Sequence, residues 1–474
     1  MAWVGLAPLA ACAQRPPEVQ SGPLTSGLPA PWVWTRMIPD TGTSYVSDVV
    51  ADADGLTVVG WLPANARAKY GDAPRSIVIG ADTLTQQTTS SGFVARYSVD
   101  GTPQWARRLG EVDGSASGIA RGPDGALYVV GSNDPSGDRA GWASRLDASG
   151  AVVWTRTLPS VTTVHGVTVD GQGTIWVAAE TGVLHPSPDI RREGEAIAVA
   201  VSPDGDLLAT HRLGPGAAYS VAPLVDGVCV AGQVRRDSGL VRREGFFDQP
   251  ARRIRRGFIS RLALDGVRWT HTVRADTIPG DRPYASFTPS VRFSSATATD
   301  GGCVASGWFQ GQLDTGTAAV FSTKPYGSTS PLAVAVSASG ARQWVTRFDG
   351  ASSNGGNFAN AIGPRPGGGF VVAGSFIDSL RVGPYTLTTP RDGGMSSRAV
   401  YVAELGEGGA VLRAVQNHPR YGRMHVDGID VAPSGRIAVV GGGGSAVRYG
   451  TRLLSGRGNQ AYVLALDLPL TGDL

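Results

Sequence analysis

One turn returns seven times along this chain, each time centred on a glycine: Gly55, Gly125, Gly173, Gly227, Gly301, Gly369 and Gly435. Before each turn runs a short strand of mostly small residues, such as Asp48-Val-Val-Ala, Gly166-Val-Thr-Val, Ser295-Ala-Thr-Ala and Gly428-Ile-Asp-Val. After it comes a β-branched or aromatic strand, such as Leu127-Tyr-Val-Val, Ile175-Trp-Val-Ala or Phe370-Val-Val-Ala. Glycine in a short turn between two such runs is the chemistry of a β-hairpin. The intervals between turns are unequal, so a fixed core repeat carries insertions of variable length.

Two further strands complete the repeat. The third alternates, as in Phe93-Val-Ala-Arg-Tyr97, Phe258-Ile-Ser-Arg-Leu262 and Tyr401-Val-Ala-Glu-Leu405. The fourth opens on Gly-x-x-x-Trp at Gly101 to Trp105, Gly150 to Trp154 and Gly340 to Trp344, with a shorter form at Gly266 to Trp269. Recurrence at one structural position assigns these tryptophans to packing between neighbouring repeats, where a large flat side chain buries much area. Four strands per unit at this period read as a β-propeller. The expected fold is all-β: a seven-bladed propeller of four-stranded antiparallel blades, with strands A to D running outward from the axis. The last repeat ends near Leu468 without a fourth strand, while Trp34-Thr35-Arg36 near the other end repeats Trp154-Thr155-Arg156. Residues 32–38 are therefore expected to complete the last blade and close the ring, removing an exposed edge. The domain spans 32–474.

Composition agrees with strands and turns. Gly (66) and Pro (31) are plentiful among 474 residues, and 17% are charged, against about 25% in ordinary globular chains. A net charge of +3 is too small to imply nucleic acid. Lys69 and Lys324 are the only lysines among 42 basic residues, a bias of coding composition rather than of phosphate binding. The cysteines are Cys12, Cys229 and Cys303. The last two hold equivalent strand positions in adjacent repeats, expected to be too far apart for the Cα separation of about 4.4–6.8 Å that a disulfide needs. They are read as small buried apolar residues. With no Cys-x-x-Cys and no His-x-x-x-His, no metal or cofactor is expected.

The first residues end an apolar run in Leu9-Ala10-Ala11-Cys12, which resembles the bacterial lipobox. The resemblance implies a lipoprotein signal segment over 1–12, cleavage before Cys12 and lipidation of that residue; Ala13 then implies outer-membrane sorting. Several acyl chains supply the two signals that stable anchoring needs. Residues 13–31, rich in Pro, Gly and Ser, read as a tether. No run of about 18 apolar residues follows, so the lipid is the only expected membrane attachment.

The repeat itself resembles that of bacterial seven-bladed β-propeller repeat (SBBP-like) lipoproteins over residues 32–468. A second element of that pattern stands in several B–C insertions, at Gly80-x-x-x-Leu84, Gly316-x-x-x-Val320, Gly383-x-x-x-Leu387 and Gly450-Thr-Arg-Leu453. Repeats two to four lack it. The resemblance implies a protein of the cell envelope or secreted, and no substrate. A weaker likeness, in the Gly-to-Trp spacing, is to quinoprotein-type propellers that scaffold envelope assembly.

A–B and C–D connections are tight, whereas B–C connections are long, so elaboration is expected on the one face where B–C and D–A turns emerge. Loops on a rigid scaffold carry function. The most unusual insertion holds Arg235, Arg236, Arg242, Arg243, Arg252, Arg253, Arg255 and Arg256 against Asp237, Glu244 and Asp248. Guanidinium forks match carboxylate, sulfate and phosphate, making these candidate ligand-binding residues. No Gly-x-Ser-x-Gly, His-Glu-x-x-His or phosphate loop is present. Asp52-Ala53-Asp54-Gly55 falls on the recurring turn and lacks the distal Glu of a calcium loop. Among the scattered histidines, His165 and His425 stand close to strand A and could approach the axis. The expectation is a monomeric, non-catalytic propeller that binds an envelope protein or polysaccharide through its loop-rich face. The alternatives are a polysaccharide lyase or hydrolase with its site at the channel mouth, and a quinoprotein-like scaffold.

Overall fold

Glycine turns alternating with β-branched strands produce a purely β architecture in the computed structural model of this chain. It describes residues 32–38, 44–63, 76–85, 90–133, 140–182, 194–237, 253–276, 289–314, 319–321, 328–350, 356–389, 391–392, 395–419, 422–444, 447–449, 452–454 and 459–467. No helix occurs among the described residues. Cys12 and the tether of residues 13–31 lie outside them.

The strands pair antiparallel in runs of four, in the order A-B-C-D. Tyr45–Asp52, Gly55–Leu62, Ser91–Ser98 and the start of Pro103–Arg121 form one such unit. The end of Pro103–Arg121 then serves as strand A of the next, with Leu127–Asn133, Gly141–Leu146 and Val152–Leu158. Thr163–Val169, Ile175–Thr181, Glu195–Val201 and the start of Leu207–Leu224 follow. The rest of that strand leads Gly227–Asp237, Arg253–Ala263 and Gly266–Val273. Ser290–Ala298, Cys303–Gln310, Ser330–Val336 and Arg342–Arg347 make another unit, and Phe358–Pro364, Phe370–Ile377, Arg398–Leu405 and Val411–Gln416 another. Finally Met424–Val431, Arg436–Gly444 and Asn459–Asp467 take Trp32–Met37 as their outermost strand. All the A strands border one cavity, which makes the fold a β-propeller.

The core lies between neighbouring units. Val130 and Ala143 bury against Val177 and Val199, and Val58 and Ala95 against Val440 and Val463. Each fully buried valine of this kind contributes about 1.5–3 kcal/mol.

The Gly-x-x-x-Trp motif has a two-unit meaning. Where strand D carries an indole, the ring lies on the glycine that opens strand D of the following unit. A Cβ on Gly101 would stand 2.5 Å from the Trp34 ring, one on Gly150 2.5 Å from Trp105, and one on Gly409 2.5 Å from Trp344. The same indoles donate to carbonyls of that next turn: Trp34 Nε1 to Val99 O at 2.9 Å, Trp154 to Pro203 O at 3.0 Å, Trp269 to Ala338 O at 2.7 Å and Trp344 to Glu407 O at 2.8 Å. Packing between repeats, inferred from the motif's recurrence, is thus what the tryptophans do. Where the unit of Thr163–Val169 has Ala209 in place of Trp, the next glycine, Gly266, has nothing above it.

The cysteine expectation is corrected. Cys229 and Cys303 form a disulfide with a Cα separation of 5.8 Å. Strand B is the second from the cavity, where the units still converge, and Ala222, Ala231, Ala296 and Ala305 line the same cluster. Their small volume lets the two sheets approach within bridging distance.

The insertions also depart from expectation. The second sequence element in the B–C segments folds as short hairpins, Ser76–Ile79 with Asp82–Thr85 and Ser379–Val382 with Tyr385–Thr388. Ser379–Val382 also pairs with the D–A segment Asp349–Gly350. Both hairpins lie beside strand D of their own unit: Asp82 Oδ2 accepts from Ala106 N at 2.8 Å, and Tyr385 Oη donates to Leu412 O at 2.8 Å. Each covers an edge whose backbone would otherwise be unpaired. Two further hairpins, Gln312–Asp314 with Ala319–Phe321 and Val447–Tyr449 with Arg452–Leu454, extend into small sheets with Ala275–Asp276 and His418–Pro419.

Candidate functional site

Every strand A breaks register once against strand B, at the same position. The extra residues are Ser47, Ser117, His165, Tyr219, Ser294, Asn360 and Asp427. A β-bulge of this kind re-aims a side chain out of the alternating pattern. All of these residues line the central cavity, which has a volume of about 520 Å³. They fall in the first half of each strand, toward the end where D–A and B–C connections emerge. The bulges thus ring one mouth of the cavity with hydroxyls, an amide, an imidazole, a phenol and a carboxylate.

The residue after the bulge is small or acidic, and several use the freed position to tie neighbouring units. Ser220 Oγ accepts from Ala296 N at 3.0 Å, and Ser295 Oγ from Ile362 N at 3.1 Å. Asp48 accepts from Val49 N at 2.9 Å with one oxygen and from Ile119 N at 3.0 Å with the other. Asp430, further along its strand, accepts from Val431 N at 2.9 Å and from Ala51 N at 2.7 Å. Burial pushes the Asp48 carboxyl up to about 7, against the pull of its two N–H donors, and Asp430 adds repulsion. Burial likewise raises Asp430 to about 6, opposed by the Ala51 and Val431 N–H groups. Both carboxylates have their two oxygens engaged by backbone, so they tie neighbouring inner strands together.

At the mouth, the His165 ring meets Tyr219 edge-on at 4.9 Å, and the Arg292 guanidinium covers the Tyr219 ring at 3.8 Å from its centroid. Burial, and then the nearby Arg292 charge, lowers the His165 pKa to about 4. The imidazole is therefore neutral at ordinary pH, and its buried Nε2 has no hydrogen-bond partner among the described residues. His425 pairs with Asp427 at 3.1 Å. Burial acts to lower the His425 pKa, but the Asp427 hydrogen bond and charge carry it above the usual value. At the opposite end of the cavity Asp52 is held by Arg96 at 2.7 Å and Arg121 at 2.6 Å. Burial alone would raise that carboxyl; the two guanidiniums outweigh it and hold it below the usual range. The Asp52 turn is thus an ion-paired corner.

The described arginines of the arginine-rich insertion stand on two paired strands. Arg235 and Arg236 end one strand and Arg253, Arg255 and Arg256 begin its partner, with Arg235 opposite Arg255 in the ladder. Arg235, Arg255 and Arg256 do not line the cavity, while Arg242, Arg243 and Arg252 lie outside the described residues. No group of three His, Cys, Asp or Glu side chains converges as a metal site among the described residues. Sequence reasoning misses the bulge residues as a set, although a signal exists. Each is a polar or aromatic residue followed by a small or acidic one, as in Ser47-Asp48, His165-Gly166 and Tyr219-Ser220.

The class defined by these sheets is the β-propeller. Among solved structures the chain is similar to the RRP9 WD40 repeats (11% identity, 92% of this chain and 99% of that one, TM-score 0.47) and to the Dos1 propeller (9%, 93% and 97%, 0.44). It is also similar to a catalytically inactive virginiamycin B lyase from Staphylococcus aureus with quinupristin (11%, 91% and 99%, 0.43). Likeness at this level carries no functional argument. No protein-family model matches the sequence, and no curated protein matches it.

Proposed function

We propose that this chain is a non-catalytic, seven-bladed propeller, closed by its strand at Trp32–Met37, that binds an envelope protein or polysaccharide across the cavity mouth. The seven bulges and the Trp34 contact with Gly101 support the ring. What carries the binding reading is the mouth itself: bulged side chains from every inner strand present hydrogen-bonding groups into one polar cavity. The buried acids Asp48 and Asp430, meanwhile, are occupied by backbone. Hydroxyl, amide, imidazole, phenol and carboxylate groups together suit a polyhydroxylated or peptide ligand, which needs many directional bonds to replace those it makes with water. The buried disulfide supports an oxidising compartment, and Leu9-Ala10-Ala11-Cys12 supports lipid anchoring to the outer membrane as an SBBP-like lipoprotein.

One observation favours a second reading, a carbohydrate lyase or hydrolase: neutral His165 and the His425–Asp427 pair gather at the same mouth. Crosslinked capture from the native envelope separates the two. Residues 20–474 should retain one protein or glycan that a His165→Phe/Asn360→Leu variant does not. Equal retention by both forms would overturn the mouth as the binding site. Recovery of shortened glycan, abolished by His425→Ala, would establish the enzyme instead. Loss of palmitate labelling in Cys12→Ala, with the native chain labelled, is the expected result for the anchor.

A further inference from the structure

Arginines at the two ends of the units are treated differently. At the end where the A–B and C–D turns lie, Arg96 and Arg121 hold Asp52, while Arg145 and Arg261 hold Asp124 and Asp226. At the mouth stand Arg292, two residues before the bulge of its strand, Arg398, which opens a strand C, and Arg423, bridged to Arg398 through the backbone. None of these three forms an ion pair among the described residues. Asp427, the carboxylate among the bulge residues, is taken by His425 at 3.1 Å. Guanidiniums that serve the fold are thus matched to acids, and those at the mouth are not.

Two of the three are held in place by aromatic faces. The Arg292 guanidinium covers the Tyr219 ring at 3.8 Å, and that of Arg398 lies over Phe358 at 5.2 Å. Packing on a ring fixes the cation and leaves its in-plane N–H groups for a planar anion. Arg292 Nε is buried without a hydrogen-bond partner among the described residues. Burial, and then the Arg423 charge, lowers the Arg398 pKa, so two like charges crowd a half-buried corner that an anion would relieve. His165 Nε2 and Asn360 Oδ1, on bulges that line the cavity, are likewise buried without a partner among the described residues. A carboxylate answers the guanidiniums but not an amide oxygen, which needs a hydroxyl or N–H donor. A chain of sugar acids offers both, a carboxylate and hydroxyls on each rigid ring.

We propose that the mouth takes an acidic polysaccharide, with sugar carboxylates on Arg292 and on the Arg398–Arg423 pair and sugar hydroxyls on His165 and Asn360. This inference rests on the reading of the mouth as the binding site and names the ligand class. The probes are tetramers of galacturonate, glucuronate and mannuronate, each also as its methyl ester, titrated into the full chain by calorimetry. At least one acid should bind saturably, with a Kd about tenfold lower than its ester, as fits a charge-assisted hydrogen bond. In Arg292→Gln/Arg398→Gln the ratio of acid to ester affinity should fall to about one, with an unchanged thermal melt to verify folding. Arg423→Gln alone should lower the ratio part of the way. Equal affinity for acid and ester, lost from both in His165→Phe/Asn360→Leu, would overturn the acidic class and leave the mouth standing as the site. Acid binding that survives the arginine substitutions would overturn the proposal, as would tetraglutamate binding as tightly as the best uronate. Failure of all three uronates to bind would overturn it too, while capture from the native envelope decides the mouth separately.

Discussion

Asp430 accepts a hydrogen bond from the backbone N–H of Ala51 at 2.7 Å, joining strands that lie at opposite ends of the chain. Asp48, on the strand that holds Ala51, makes the corresponding link onward to Ile119. Both carboxyls sit above their unfolded values, Asp48 near 7 and Asp430 near 6. The folded chain therefore binds more protons than the unfolded one between about pH 4 and 7, and stability from this pair falls as pH rises through that window. His165, lowered to about 4, works in the opposite direction. Thermal melts should show Asp48→Asn/Asp430→Asn losing less stability than the native chain on going from pH 5 to pH 8. Parallel profiles for the two proteins would contradict the assignment.

Gly101 and Gly125 share a left-handed φ of 80°, but only Gly101 carries an indole above it. Alanine at either site carries the same backbone cost, about 1 kcal/mol. At Gly101 the Cβ must also displace the Trp34 ring, and overpacking of this kind costs about 1–3 kcal/mol more. Chemical denaturation of Gly101→Ala and Gly125→Ala should differ by that amount.

Much of this architecture is legible from residues. The small-residue strand, the glycine turn and the Gly-x-x-x-Trp strand each follow from local sterics, so A, B, C and D strands can be assigned to each repeat. Trp34-Thr35-Arg36 gives away the partner of Asn459–Asp467 because a packing motif repeats wherever its environment repeats. The bulges are harder. Their residue types differ from serine to histidine to tyrosine, and only the shift in register, a property of two strands together, makes them equivalent. The disulfide escapes a strand-by-strand reading because its feasibility depends on how closely two alanine-lined sheets approach, which strand position alone does not reveal. The Gly80 and Gly383 motifs are visible in the sequence, but their destination along strand D depends on the Asp82 and Tyr385 contacts.

Cys229 and Cys303 are both fully buried, so the disulfide should resist reductant while the chain is folded. Thiol titration in native buffer with dithiothreitol should release no thiols from this pair, and titration after denaturation should release both. Replacing both by serine should cost about 2–4 kcal/mol, read as a fall in the denaturant midpoint.

Asp82 satisfies an N–H of strand D from outside the ladder. Asp82→Ala should lose about 1 kcal/mol for that bond and expose the edge to other chains. Light scattering at elevated temperature should therefore rise earlier for this variant, while Asp82→Asn, which retains an acceptor, should remain close to the native chain.

Each strand-D tryptophan rests on a glycine that belongs to the next repeat. A repeat copied by itself would carry an indole without its seat and a seat without its indole. The segment that carries an indole together with its seat thus runs from one Gly-x-x-x-Trp to the following glycine, straddling two sheets.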